Sequence, residues 1–435
     1  MTTGQREQDL RRVLVTGIGL VTPLGASPWS TIRALDAGRT TADRLAGLPD
    51  DLDPTTLASA TAGVALVAHA RVDPALDLAE RAGRQALSDA GIAPHSAEAA
   101  RTDCVLASSK GAVMALVAPR QDQDRSACLI EGPHGFLASR LRHRLGLGSV
   151  SAPVAACATS LVAMDRAAHA IADGRSRRTL VVAVEASLHP LFVRSYLRLG
   201  ALAPTIPTAA HRALPLDRRR VGFTLCQCAS ALVLEHDSPQ DETKDPIMMG
   251  AGAPACSPRA LRPWARLIRT ATGAEPHDLV RAAVRFGAVE RAVRRVIDGL
   301  DHIALVQPHA PGTPDHDARE LAALAAALGD RAHAAPLYAS KGAIGHGLGA
   351  AGLVNVALSC LIGRIGRTPP MPWLTDPIES AFALGAEGCT IDAGAHVCVA
   401  AGFGGHVAAV SLEPMRPAAL TRRPDRSRAI QPAPG

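Results

Sequence analysis

Short apolar runs and longer Ala-rich stretches alternate along most of this chain. Continuous hydrophobic runs fall at Val13–Thr16, Cys104–Ala107, Leu180–Val184, Ala229–Leu234, His302–Val306 and Val397–Ala401. Their length and Val content predict strands. The unbroken apolar character at Leu180 and Val397 predicts sheets covered on both faces. Between them, Leu76–Ala90, Ser160–Ala172 and Leu279–Ile297 carry apolar residues at helical spacing. Strands alternating with helices make this an α/β chain. Little marks 254–275, which reads as loop or insertion.

Two segments resemble each other. Cys157 opens CATSLVAMDRAAHAIADGR and His346 opens HGLGAAGLVNVALSCLIGR; each closes on Gly-Arg, at Gly174 and Gly363. The shared offset, 189 residues from Cys157 to His346, is near half the chain and too long for a solenoid period. It fits a duplicated α/β half, and two unrelated buried helices with Gly stops are the alternative. The expected organisation is a polar segment over 1–11, a first half over 12–245 and a second over 246–414. The polar stretch 238–245 marks the junction, and 415–435 is a Pro- and Arg-rich tail expected to be disordered.

Composition narrows the classes. A chain of 435 residues with 47% hydrophobic and 20% charged residues is neither a disordered tail nor a disulfide-held miniature. No charge-free apolar run of membrane-spanning length stands out, so no span is expected. The start MTTGQREQDLRR lacks an apolar signal core, which points to the cytoplasm. The net charge of +6 comes mostly from the tail, with its five Arg and one Asp. That charge, with aromatics at 3%, argues against a nucleic-acid partner. Nine Cys without a CxxC pair read mostly as core thiols, and no metal site is expected. Only Lys110, Lys244 and Lys341 are Lys among 46 basic residues, which singles each of them out.

Cys157 follows a small-residue strand end and begins an apolar helix. The helix dipole and unpaired N–H groups there favour thiolate, so a lowered thiol pKa is expected, with a structural core thiol as the alternative. His309 ends a strand-like run, and His346 sits in SKGAIGHGLGAAG before a helix. One Cys with two His from separate loops suits thioester chemistry. The thiol attacks one carbonyl, and the imidazoles bind a second as its enolate forms.

These motifs, in this order, resemble a β-ketoacyl-acyl-carrier-protein synthase of the thiolase superfamily, from the branch with a Cys-His-His triad. The segments are RRVLVTGIGLVTPLG, ACATSLVA at Cys157, LPLDRRRVGF at 214–223, HAPGTPDHDARE at 309–320, SKGAIGHGLGAAG and AGFGGHVAAVSLEP. The resemblance implies a thiolase-like duplicated fold, layered α-β-α-β-α with two mixed five-stranded sheets. It implies Cys157 as acylated nucleophile, with His309 and His346 as neutral imidazoles. Lys341 would be their electrostatic support, and Glu320 an acid of the same network. The backbone N–H groups of Cys157 and Phe403 would form the oxyanion hole. Phe403, Gly404 and Gly405 would be the gate, and Thr313 a matching loop residue. No metal or redox cofactor is implied, since the phosphopantetheine arm arrives on an acyl carrier protein. The partner would be a second copy, or a chain-length-factor-like subunit.

Some positions depart from the family pattern. Ala310 and Pro311 replace Gly and a hydroxyl residue, Cys226-Gln227-Cys228 replaces a Gly-acid-Gly turn, and His406 stands where Thr is typical. They suggest a specialised secondary-metabolism member. The leading expectation is decarboxylative Claisen condensation of an acyl-Cys thioester with a malonyl-type carrier to give a 3-oxoacyl carrier. The alternatives are an acyltransferase or cyclising enzyme that uses Cys157 without extension, and a non-catalytic chain-length partner. A degradative thiolase would need a second active-site Cys, and Cys398 reads as core.

Overall fold

The structure, a computed structural model, describes residues 10, 12–41, 61–62, 73–113, 133–203, 213–237, 263–275, 278 and 285–416. The strands are β1 (Val13–Val21), β2 (Thr61–Ala62), β3 (Asp103–Ala107), β4 (Val150–Ser151), β5 (Arg178–Glu185), β6 (Leu225–Cys226), β7 (Cys228–His236), β8 (Ala265–Ala274), β9 (Ile303–Gln307), β10 (Ala395–Ala401) and β11 (His406–Pro414). The helices are α1 (Pro28–Asp36), α2 (Pro74–Asp89), α3 (Ala97–Ala100), α4 (His134–Leu145), α5 (Thr159–Ala172), α6 (Pro190–Arg198), α7 (Gly287–Ile297), α8 (Pro314–Leu328), α9 (Lys341–Ile344) and α10 (Ala351–Ile365). Every strand expected from an apolar run forms.

Nine strands run in the order β4-β3-β5-β7-β1-β8-β11-β10-β9, and β2 pairs with β6 apart from them. The two expected sheets are therefore hydrogen-bonded into one. The joint is slight: β1 and β8 pair antiparallel at Leu14↔Arg266 and Val15↔Ala265. The halves on either side are alike, but among the described residues the expectation of five strands each is corrected to five and four. The place of a fifth strand beside β9 is taken by a single bridge, Val306↔Leu337. Pro336 precedes it, and a proline carries no N–H for a longer ladder.

Each half covers its outer face with helices of its own. Asp73 caps α2 by accepting the Ala75 N–H at 2.8 Å, and Pro74 occupies the first turn. Its buried Ala82 and Ala86 press on β1. A Cβ on Gly17 or Gly19 would sit 2.1 Å from the Ala86 oxygen or 1.9 Å from the Ala82 oxygen, so this packing requires glycine in the strand. α7 packs on β8 and β11 in the other half.

Between the halves lie α5 and α10. Ser160 Oγ accepts the Leu353 N–H at 3.1 Å, and a Cβ on Gly352 would fall 2.6 Å from Leu161 Cγ. The layering α-β-α-β-α thus follows from burying these two helices on all sides. Leu348–Ile365 is long and apolar enough to cross a membrane by composition, which corrects the expectation that no such run exists; 89% of it is buried inside the fold.

The duplication is real, but its offset differs from the sequence reading. Ala156 and Leu348 both take positive φ (47° and 39°) in short 3-10 turns that lead into α5 and α10. Gly174 and Gly366 (φ 71° and 77°) close the two helices. Both pairs are 192 residues apart. Gly363 is not a stop but a buried helical position against Pro414. The structural counterpart of Cys157 is therefore Gly349, not His346.

The stretch read as loop over 254–275 contains β8. The expected junction at 238–245 and the start of the helix expected at 279 lie outside the described residues, as do 1–9, 11 and 417–435. Met415 and Arg416, assigned to the tail, are bound: Met415 N donates to Trp264 O at 2.8 Å and Arg416 to Gly363 O at 3.1 Å and Ile391 O at 2.7 Å.

Candidate active site

Three loops at the ends of the central strands and helices meet in one pocket. Cys157 lies in the 3-10 turn before α5, His309 just after β9, and His346 between α9 and α10. All three are buried, at 8%, 4% and 2% exposure. The Cys157 Sγ and one ring nitrogen of each histidine lie within 4.8 Å of one another. The two imidazole centroids are 5.2 Å apart, nearly edge to face at 79°.

The loops are built to hold these side chains. His346 N donates to Thr224 O at 2.7 Å and its carbonyl accepts from Cys226 N at 3.2 Å, a short parallel bridge to β6. Here the departure at Cys226-Gln227-Cys228 finds its physical complement. A Cβ on Gly345 would lie 3.0 Å from Cys226 Cβ, and one on Gly347 only 2.2 Å from Cys228 Sγ. The two thiols fill space that the His346 loop leaves empty by having glycine on both sides.

Glu320, fully buried in α8, accepts the main-chain N–H of His309 at 2.6 Å and of Ala310 at 2.7 Å. Ala310 holds φ at 31°, a strained value for a residue with a Cβ, and the carboxylate fixes it there. Asp317 accepts from Gly312 N at 3.0 Å and Leu216 N at 2.9 Å, tying the same loop to the 214–223 segment. Thr313 begins α8 without a side-chain cap and lines the pocket. Lys341 Nζ donates to the His309 carbonyl from α9. Burial pulls the Lys341 ammonium down to about 8, against the upward pull of Glu320. Burial, then the Lys341 cation, hold both His309 and His346 well below the ordinary imidazole range. Both are neutral donors or acceptors at neutral pH.

The thiol reverses its expectation. Burial pushes Cys157 up to about 11, although the Lys110 and then the Lys341 cation pull the other way. Loss of water around the sulfur outweighs the helix start. The resting nucleophile is a thiol.

Gly402–Gly405 closes over Cys157. A Cβ on Gly402 would stand 2.8 Å from Cys157 N and 3.0 Å from Ala155 O. Gly404 and Gly405 take φ of 77° and 76°, and a Cβ on Gly405 would overlap Glu275 O at 2.0 Å. Phe403, half-buried, packs on the apolar cluster that includes Cys157, Tyr196, Phe223 and Leu348. His406 is exposed and lines the pocket mouth. The imidazole that sequence reasoning missed is His316, whose ring lies 5.0 Å from that of His309. Its signal was present in HAPGTPDHDARE, seven residues after His309 on the face that begins α8. The cavity these residues line has a volume of about 640 Å³.

Comparison with known proteins agrees with this geometry. Residues 10–240 match the model of the β-ketoacyl synthase N-terminal domain, and residues 271–374 that of its C-terminal domain. The chain belongs to the β-ketoacyl synthase family. The ketoacyl synthase alpha subunit of the tetracenomycin polyketide synthase from Streptomyces glaucescens is 28% identical over 84% of this chain and 88% of its own length. 3-Oxoacyl-[acyl-carrier-protein] synthase 2 of Coxiella burnetii is 24% identical over 88% of this chain and 91% of its own length. Among solved structures, a type II polyketide ketosynthase in complex with its acyl-carrier protein superposes with a TM-score of 0.77 at 20% identity. That match covers 93% of this chain and all of the other. The ishigamide ketosynthase/chain length factor gives 0.75 at 19%, over 93% and 99%. These likenesses establish a thiolase-like ketosynthase fold.

Proposed function

We propose that this β-ketoacyl synthase family member is an active condensing enzyme of polyketide or fatty-acid-like biosynthesis. The carrying observation is the convergence of the buried Cys157 sulfur and two neutral, buried imidazoles within 4.8 Å in one pocket. A non-catalytic chain-length partner has no need of that arrangement.

An acyl thioester on a carrier protein enters with its phosphopantetheine arm. A neutral imidazole beside the sulfur accepts the Cys157 proton as the thiolate attacks the carbonyl. The N–H groups of Cys157 and Phe403 bind the oxyanion, the carrier thiol leaves with a proton, and an acyl-Cys157 thioester remains. A malonyl-type thioester then places its carbonyl oxygen between His309 and His346. CO₂ leaves without the electron pair of the broken C–C bond, which becomes the enolate. The enolate carbon attacks acyl-Cys157, and the sulfur leaves to regain its proton. The product is a 3-oxoacyl carrier. Lys341 supports this step as a fixed cation that keeps the imidazoles neutral, and Glu320 holds the loop. This chemistry uses no metal or redox cofactor.

The partners implied are an acyl carrier protein and a second subunit, either another copy or a chain-length-factor-like chain. In the solved relatives above, a ketosynthase is seen with its acyl-carrier protein, and another with a chain length factor. The test is mass spectrometry of one reaction: an acyl-loaded carrier panel, malonyl-loaded carrier, and Cys157→Ala as control. A 3-oxoacyl carrier that is absent in the control is expected. Acylated Cys157 without extension would replace this reading with acyl transfer or cyclisation, and no acylation would favour the structural partner.

A further inference from the structure

Six rings line one wall of the pocket in unbroken contact. Tyr196 to Phe223 is 5.8 Å between centroids, Phe223 to His346 4.9 Å, His346 to His309 5.2 Å, His309 to His316 5.0 Å and His316 to Phe286 4.7 Å. In a chain with 3% aromatics this is a concentrated feature. Three consecutive members are imidazoles, and the mechanism above uses two. Each of the three has a buried ring nitrogen without a hydrogen bond, a cost sites accept when the nitrogen works.

His316 is not simply a wall. Its Nε2 stands 3.4 Å from Glu320 Oε2, close enough for an ion pair but poorly aligned for a hydrogen bond. Glu320 is the same carboxylate that fixes the His309 backbone. One acid thus touches the third imidazole through its side chain and the second through its main chain. The other charged groups near His316 are engaged or more distant. On its own helix, Asp317 faces the N–H groups of Gly312 and Leu216, and Asp315 pairs with Arg319 at 3.7 Å. From α7 it meets the uncharged Phe286. Glu275, which accepts the Ala288 N–H, lines the same pocket, as does Asp278. His346 and Lys341 lie beyond His309.

We propose that His316 is a positioning residue for His309: its ring, 5.0 Å from the His309 ring and with Nε2 3.4 Å from Glu320 Oε2, braces both the His309 imidazole and the carboxylate that fixes the His309 main chain while the enolate forms. Negative charge grows on the thioester oxygen in that step, and a donor imidazole held in place by its neighbours stabilises it. Attack of Cys157 on the first thioester does not depend on that placement. The inference rests on the condensing function proposed above and identifies a further residue for it.

The test separates the two half-reactions in the full chain. Acylation of Cys157 and decarboxylation of malonyl-loaded carrier are each followed by mass spectrometry in wild type, His316→Phe and His316→Gln. Phe keeps the ring row and loses both nitrogens; Gln keeps a polar donor and loses the ring. Both variants are expected to acylate Cys157 normally and to decarboxylate at least about tenfold more slowly. Wild-type decarboxylation by His316→Phe, or an equal loss in both half-reactions, would overturn the proposal. A wild-type protein that decarboxylates no malonyl carrier would instead remove the condensing function on which it rests.

Discussion

Lys341 Nζ donates to the main-chain carbonyl of His309, so the cation that adds to burial in holding the histidines neutral is anchored to one of them. Its pKa, pulled down to about 8 from 10.5 chiefly by burial, has two consequences. The folded protein releases this proton before the unfolded chain does. Between pH 8 and 10.5 the unfolded state binds more protons, so this residue's contribution to stability rises with pH across that window. Relative to Lys341→Met, wild type should gain stability on the order of 3 kcal/mol over that range, read by denaturant unfolding at stepped pH. Decarboxylation should meanwhile decline above about pH 8, because loss of this cation removes positive charge from beside the site where the enolate forms. A wild-type-minus-variant difference that stays level with pH would contradict both the burial and the charge assigned here.

Cys157 carries the second prediction. With burial holding its thiol up at about 11, alkylation by iodoacetamide should be slow at neutral pH. The rate should then climb about tenfold per pH unit towards that value. Peptide mass spectrometry can follow Cys157 beside Cys389, which is exposed. A plateau reached below pH 9 would show a pre-formed thiolate and remove the need for an imidazole to take the proton.

Glu320 gives the third. Two N–H groups converge on its two oxygens, at 2.6 and 2.7 Å. In Glu320→Gln one oxygen becomes NH₂ and opposes a donor with a donor. A buried donor left without a partner costs about 1–3 kcal/mol. Because Ala310 is held at positive φ by this carboxylate, the His309 ring should also move, and a displacement near 1 Å can cost about a hundredfold in rate. Thermal melting and kcat are therefore expected to fall together. Unchanged kcat in a destabilised variant would show that the loop keeps its shape without the acid.

Much of this molecule could be read from the chain, for identifiable reasons. The continuous apolar runs at β3, β5, β7 and β10 lie between covering helices, so burial on both faces wrote itself into composition. β8 does not read as a strand in the sequence because WARLIRTATGA mixes Arg and Thr into it, and its last residues face solvent. Apolar patterning cannot report a strand stabilised by pairing with both β1 and β11. The nucleophile and two histidines were legible through motif order. Three features were not: the 192-residue offset, the raised thiol pKa and the approach of His316 to His309. The first depends on backbone dihedrals at Ala156 and Leu348. The second depends on how much water the fold removes from the sulfur, and the third on α8 packing its first turn beside a loop.

The last prediction concerns how this chain packs Cys226 and Cys228 against the glycines that flank His346. Cys228 Sγ lies where a Cβ on Gly347 would be, 2.2 Å away, and Gly347 has an ordinary negative φ. Gly347→Ala therefore fails by collision alone, with an overpacking cost of about 1–3 kcal/mol. Cys228→Gly alone removes a buried thiol from β7 and should also destabilise, through a cavity and a looser strand. Combined, the alanine methyl takes the space the sulfur vacates. The double variant should be more stable than Gly347→Ala, with a coupling of about 0.5–3 kcal/mol in a double-mutant cycle measured by denaturant unfolding. Condensing activity should recover in parallel, since His346 immediately precedes Gly347 and its ring placement follows the same backbone. Strictly additive costs would mean that the thiols and glycines facing each other here are not packed as a pair, and that His346 is held by its bridge to β6 alone.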